Sequence, residues 1–404
     1  MNLFDEIISG NLKNVKELIE KGADINKADN DACTPLYVAS YNGHLDVVKL
    51  LIEKGADINQ LKNNGCTPLC TASFNGNLDV VKFLVENGAD INQVDNNGAT
   101  PLWVASRWRY LGIVKYLLEN GADINQANYD GDTPLYIASY NGHLDVVKLL
   151  IEKGADINKA DNDGDTPLFV ACQYKYMDVA KYLIENGADI NKPNKNGATP
   201  LYVASYYGHL DVVKYLLENG ADINQANNHG DTPLLIASQN GHLNIVKCLV
   251  EKGANINQAN NHGATPLYVA SQNGNLDVVK CLVDKGADIN QKNDNGETLL
   301  HASSIYGHLD LAKYLIENGV GVNEEDNGGN TAINQASASN RLDLVKYFLD
   351  KGANINQKND NGETPLYLAS YYESWDVVVF LIEKGADIDA HIKAIKDLIE
   401  EGIF

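Results

Sequence analysis

Histidines, cysteines and carboxylates are the residues of this chain whose types are suited to chemistry, and their spacing decides which chemistry is open to them. His44, His143, His209, His242 and His308 each follow a glycine, at separations that are multiples of 33 residues. A shared metal ion needs donors about 2 Å from one centre. Residues one period apart on stacked helices stand roughly 8–10 Å apart, so this series reads as structural, and His229 and His262 meet the same difficulty. Cys33 and Cys66, like Cys248 and Cys281, are also one period apart, beyond the reach of a disulfide. They read as reduced thiols of a cytoplasmic protein. No glycine-rich phosphate loop, nucleophile elbow or metal-ligand spacing is present. The expectation is no catalytic residue, no cofactor and no metal: not an enzyme.

What remains is recognition. The residues just ahead of the turn glycine read Arg107-Trp108, Tyr140-Asn141, Gln173-Tyr174 and Tyr206-Tyr207 in four consecutive repeats. Trp, Tyr and Arg dominate the energetics of protein interfaces, and tyrosine adds contact area at low entropic cost. Where most repeats have Gly-His, Arg109-Tyr110, Lys175-Tyr176 and Glu373-Ser374 stand instead. A non-glycine residue in the left-handed conformation costs about 1 kcal/mol, so these positions signal either a gain in binding or a different turn. The site expected from this pattern is a groove over residues 103–207. Its contact residues are Trp103, Arg107, Trp108 and Arg109 with Tyr129, Tyr140, Tyr174, Tyr206 and Tyr207. It would take an extended or helical segment with apolar anchors and acidic flanks. The bland alternative is that these rings only pack between repeats. A second aromatic series, Phe83, Tyr116, Tyr182, Tyr215, Tyr314, Tyr347 and Phe380, reads as packing.

The elements that must hold these side chains follow from one motif. Thr-Pro-Leu starts at Thr34 and recurs every 33 residues to Thr265; it weakens at Thr298 and Thr331 and returns at Thr364. Thr34 suits a helix N-cap and Pro35 the first helical turn. A helix from Pro35 to about Asn42 would end at Gly43 in the left-handed conformation. A second, amphipathic helix runs from about Leu45 to Lys54 through Leu45, Val48, Leu51 and Ile52, and Gly55 closes it. Asn64-Gly65 then signals a tight hairpin. Neither helix is long enough to persist alone in water, so stability must come from stacking, and the ends need covers. The expected division is a capping unit at 1–28, eleven repeats over 29–391 and a capping helix at 392–404.

The net charge of -22 is spread along the chain. One repeat, 128–160, holds Asp130, Asp132, Asp145, Glu152 and Asp156 against Lys148, Lys153 and Lys159. Such a surface repels phosphate backbones, so nucleic acid is not an expected partner, and it suits a soluble monomer. Met1 to Gly10 has no basic segment of a secretory signal, and no apolar run reaches the ~18 residues of a membrane helix. The Asn-, Ile-, Lys- and Tyr-rich usage would suit an AT-rich genome, such as that of a parasite, an intracellular bacterium or a large virus, and delivery into a host cell would then be open.

The unit Thr-Pro-Leu-Tyr-x-Ala-Ser-x-x-Gly-His-Leu-Asp-Val-Val-Lys-x-Leu-Ile-Glu-x-Gly-Ala-Asp-Ile-Asn resembles the ankyrin repeat at nearly every position. The resemblance implies an all-α repeat solenoid with short β-hairpin tips, a curved and elongated stack. It implies a domain that binds another protein or peptide through its concave face and hairpin tips, a scaffold or adaptor without catalysis. A structural or elastic spacer, or the recognition arm of a longer protein, is the alternative. The family's usual His after Thr-Pro-Leu is mostly Tyr here (Tyr37, Tyr136, Tyr202, Tyr268, Tyr367), and only His301 keeps it; aromatic stacking is expected to replace its bonds. Residues 293–358 lose the proline at Leu299 and Ala332, which predicts looser helix starts and a hinge.

Overall fold

The threonine of each Thr-Pro-Leu is a helix cap. In the computed structural model, which describes residues 2–388, Thr34 Oγ1 accepts the Tyr37 N–H at 3.1 Å, Thr100 that of Trp103 at 3.1 Å and Thr232 that of Leu235 at 3.2 Å. Proline takes the first helical position in each case, where its missing N–H would have had no partner. Gly43 ends the helix Pro35–Asn42 at φ 74°, and Gly55 follows the helix Leu45–Glu53 at φ 89°. These bounds match the sequence reading closely. The buried face of Leu45–Glu53 is Val47, Val48 and Leu51, with Leu45 and Ile52 only half-buried.

The described residues hold 24 helices and form all-α stacks of repeated helix pairs. They fall into two compact units, which divide between Pro200 and Leu201. In the first, the pairs Leu3–Ile8 and Leu12–Glu20, then Pro35–Asn42 and Leu45–Glu53, and so on to Pro167–Gln173 and Met177–Glu185, stack first helix on first helix and second on second. The second unit repeats this from Leu210–Glu218 to Trp375–Glu383. Leucines such as Leu102, Leu117 and Leu249 are fully buried, each contributing about 1.5–3 kcal/mol. The opening pair is capped by Asn2 and Asn11 instead of threonine. The closing helix expected at 392–404 lies outside the described residues.

The tips correct one expectation: among the described residues there is no β-strand. Each tip is a single turn folded around one Asp or Asn. Asp95 Oδ1 accepts the N–H of Asn97 at 2.8 Å and of Ala99 at 2.9 Å, while Asp95 N–H donates to Ala99 O. Turn meets turn through one backbone bond, Asn96 N–H to Asn64 O and Tyr129 N–H to Asn97 O in the first unit, Asn327 N–H to Asn295 O in the second, all at 2.9 Å. The same side-chain economy runs along the segment after each second helix. Asp90 N–H donates to Asn59 Oδ1, Asp123 to Asn92 and Asp156 to Asn125, all at 2.9 Å.

Where proline is lost, side chains close the helix start instead. Thr298 N–H donates to His301 Nδ1 and Thr331 N–H to Asn334 Oδ1, both at 3.2 Å. The looser starts expected at 299 and 332 therefore meet a specific counterforce in these two capping boxes.

Candidate recognition surface

The histidine series has a positive role in the structure. His44 Nε2 lies 3.0 Å from Ile8 O, His143 from Arg107 O at 3.0 Å, His242 from Tyr206 O at 2.9 Å and His308 from Gln272 O at 3.0 Å. Each imidazole clasps the last turn of the preceding first helix, where carbonyls lack helical partners. Asn77 does the same with Ser40 O and Tyr41 O, Asn275 with Ser238 O and Gln239 O, and Arg341 with Ile305 O. Tyr110 instead lays its ring over Gly76, so close that a Cβ there would come within 2.6 Å.

On this scaffold the first unit carries an exposed aromatic row. Trp108 is 47 % exposed, Tyr140 39 % and Tyr174 41 %. Phe74 and Trp108 meet edge to face with centroids 5.3 Å apart; Tyr140 and Tyr174 do so at 4.6 Å, with their hydroxyls 3.2 Å apart. Such pairs fix ring orientation: the rings pack on one another and still face solvent. Arg107 lies over both Trp103 and Trp108, 5.4 and 5.8 Å from the ring centroids. Tyr129 is exposed at a turn tip, packed on Gly98. Tyr206 and Tyr207 belong to the second unit, where they pair edge to face at 4.8 Å.

Two of the expected contact residues are placed differently from the rest. Trp103 is only 6 % exposed, a wall of the core, and its Nε1 has no hydrogen-bond partner. Arg109 keeps the left-handed turn at φ 61°, as Lys175 does at φ 63° and Glu373 at φ 58°. The turn is thus the same with or without glycine, and the strain is real. Arg109 Nε pairs with Asp145 Oδ1 at 3.1 Å, so its charge is already answered.

Two clefts flank Trp103 and Arg107. One, of about 280 Å³, is bounded by Trp103, Arg107, Asp130, Asp132, Tyr136 and Tyr140. The other, of about 360 Å³, is bounded by Phe74, Asp95, Trp103, Arg107, Trp108 and Asp130. Burial pushes the Asp132 carboxyl up to about 6, against the help of its bond from Asn128 and with Asp161 and Asp130 adding repulsion. Asp165 is likewise pushed up to about 6 by burial, yet receives Asn194 Nδ2 from the next tip at 2.8 Å.

Family models for ankyrin repeats match the chain continuously. A three-copy model fits in overlapping stretches from residue 3 to 359, and a single-repeat model fits 361–393. The chain belongs to the ankyrin repeat family. No curated protein matches it. Ankyrin repeats are generally protein–protein interaction modules, and among the described residues no helix is long and apolar enough to cross a membrane.

The departures from the ankyrin pattern can now be placed. His301, the one residue to keep the family's histidine, is buried, which pushes its pKa down. The neutral ring accepts at Nδ1 from Thr298 N–H and donates at Nε2 to Asn330 O, 2.9 Å away in the next tip. Tyrosine keeps that bridge in polar form. Tyr268 Oη donates to Glu297 Oε2 at 2.6 Å, and Tyr136 bonds to Asp161; burial and these acids push both phenols up. Stacking between repeats, expected in its place, is not what these two tyrosines do. In the second-helix series a lysine of the preceding repeat lies over several of the rings: Lys49 on Phe83 at 5.9 Å, Lys148 on Tyr182 at 5.5 Å, Lys280 on Tyr314 at 5.8 Å.

Proposed function

We propose that this ankyrin repeat chain is a protein-binding scaffold or adaptor, which holds a partner segment against the ends of its first helices by a rigid, preformed surface and makes no bonds. The observation that carries the reading is the row Trp108, Tyr140 and Tyr174, exposed yet locked edge to face. Large rings held still present contact area without further loss of rotamer freedom. Tyr206 and Tyr207 offer a comparable pair in the second unit. In the family, these helix ends belong to the concave face. The acidic surface argues against nucleic acid and for a monomer, and the free, mostly buried cysteines suit a reducing, cytoplasmic setting.

The test is a quantitative pull-down from a candidate host lysate. It compares the intact chain with a variant carrying Trp108→Ser, Tyr140→Ser, Tyr174→Ser and Tyr207→Ser, both checked for native helicity. Partners lost selectively from the variant support the reading. Unchanged partners move these rings to packing alone and favour a spacer.

A further inference from the structure

We infer that the clefts flanking Trp103 and Arg107 take a basic peptide segment, with an arginine or lysine side chain entering beside Asp130 and Asp132. This rests on the protein-binding reading above and gives it a partner chemistry, opposite in sign to the acidic flanks suggested by the local Arg and Lys residues.

The charge balance comes from position-by-position comparison along the stack. At the place of Asp165 and Asp231, a carboxylate receives an amide from the next tip: Asn194 Nδ2 to Asp165 Oδ1 and Asn260 Nδ2 to Asp231 Oδ1, both 2.8 Å. In the repeat between 128 and 160 the next tip offers Asp161 instead of asparagine. Asp132 is left with a single side-chain donor, Asn128 Nδ2 at 3.3 Å from its own tip; the carboxylates of Asp161 and Asp130 oppose its charge and the Arg107 guanidinium favours it. Asp161 itself is served by Tyr136 and by the N–H groups of Asp163 and Asp165. The scaffold does not require an acid here, since Ala99, Ala198 and Ala264 fill the same place. A half-buried carboxylate kept where alanine fits is a group held for another purpose.

The walls suit the same occupant. Asp95, Asp130 and Asp132 outnumber the one guanidinium, Arg107, which lies over two indole rings and also favours the Asp132 charge. Tyr140 and Trp108 offer ring faces and edges to an aliphatic stem or a planar guanidinium. Trp103 is common to both clefts and joins their walls. The net charge of -22 adds long-range attraction for a basic segment.

The experiment uses the full chain with Trp375→Phe, so that emission reports on Trp103 and Trp108 alone. It is titrated with a capped peptide of alternating Arg and Leu, and with its Glu-for-Arg counterpart. The Arg peptide is expected to shift the emission. Its affinity should fall about tenfold in Asp132→Asn or in the exposed-site variant Asp130→Asn, weaken with salt, and weaken as pH drops through 6. Preference for the Glu peptide, lost on Arg107→Gln, overturns the inference while the protein-binding reading stands. Equal binding of both peptides, or Asp variants that bind the Arg peptide unchanged, overturn it equally. So does silence with both peptides, in which case the pull-down judges the protein-binding reading by itself.

Discussion

The stretch around Pro101–Arg107 in the first unit and the stretch around Pro233–Gln239 in the second are built on one backbone and present different chemistry. Both helices have seven residues, a threonine cap at φ -83° and -85°, and a proline at the first position. Trp103, Arg107 and Trp108 in one correspond to Leu235, Gln239 and Asn240 in the other, Arg109 to Gly241, and the Asp132–Asp161 opposition to Ala264 and Asn293. One surface is aromatic and charged, the other amide-rich and quiet. The comparison teaches that the template fixes where side chains go and leaves their identity free, so recognition is written in a few residues that the stack does not need.

If the template is shared, matched changes in the core should cost the same in both stretches. Leu117→Ala and Leu249→Ala, each removing a fully buried leucine, are expected to destabilise by about 2–5 kcal/mol apiece. Urea unfolding followed by circular dichroism should give values within about 1 kcal/mol of each other; a larger gap breaks the comparison. Smaller by design are the caps: Thr100→Ala and Thr232→Ala should each cost about 1 kcal/mol, read in the same way. Arg109→Gly should sharpen the contrast in the other direction. It relieves a left-handed side chain worth about 1 kcal/mol and loses an exposed ion pair worth about 0–1 kcal/mol, so a small net gain in urea midpoint is expected and a clear loss would contradict the strain.

The mildest effect is the most diagnostic. The Asp132 carboxyl is held near 6 in the fold, against about 4 in an unfolded chain. The folded state therefore binds its proton more tightly. Its contribution to stability is complete below pH 4 and is lost as pH rises through 6. Asp132→Asn should raise Tm by about 2 °C at pH 7.5, and the gain should shrink to nothing near pH 4. A gain independent of pH would mean that the carboxylate is not the destabilising group.

Much of this was legible in the sequence, and the limits have physical causes. Thr34, Pro35, Gly43 and Gly55 announce the helix ends because each is a local backbone requirement. Val47 lies four residues before Leu51 on the same buried face, whereas Leu45 and Ile52, expected there, are only half-buried. Trp103, expected as a contact residue, occupies the place of Leu235 and is only 6 % exposed; hot-spot composition says nothing of depth. The polar bridges of Tyr136 and Tyr268 needed the distance to the next tip. The opposition of Asp132 and Asp161 could have been found by aligning residues 29 apart, where Asp165 and Asp231 meet Asn194 and Asn260.

The bonds that join neighbours also set a grain to the molecule's length. The asparagine rungs span 31 residues, the histidine clasps 36 and the tip bonds 32, and a chain shortened or lengthened by 33 keeps each of these spacings. A gene that gains or drops one repeat in frame thus returns each backbone donor and carbonyl to the same place in the stack, whereas a shift of a few residues severs all three kinds of bond at once. Size, for this chain, is a digital quantity, adjustable by recombination between near-identical repeats such as 34–59 and 133–158, which differ at Val38 and Ile137 alone.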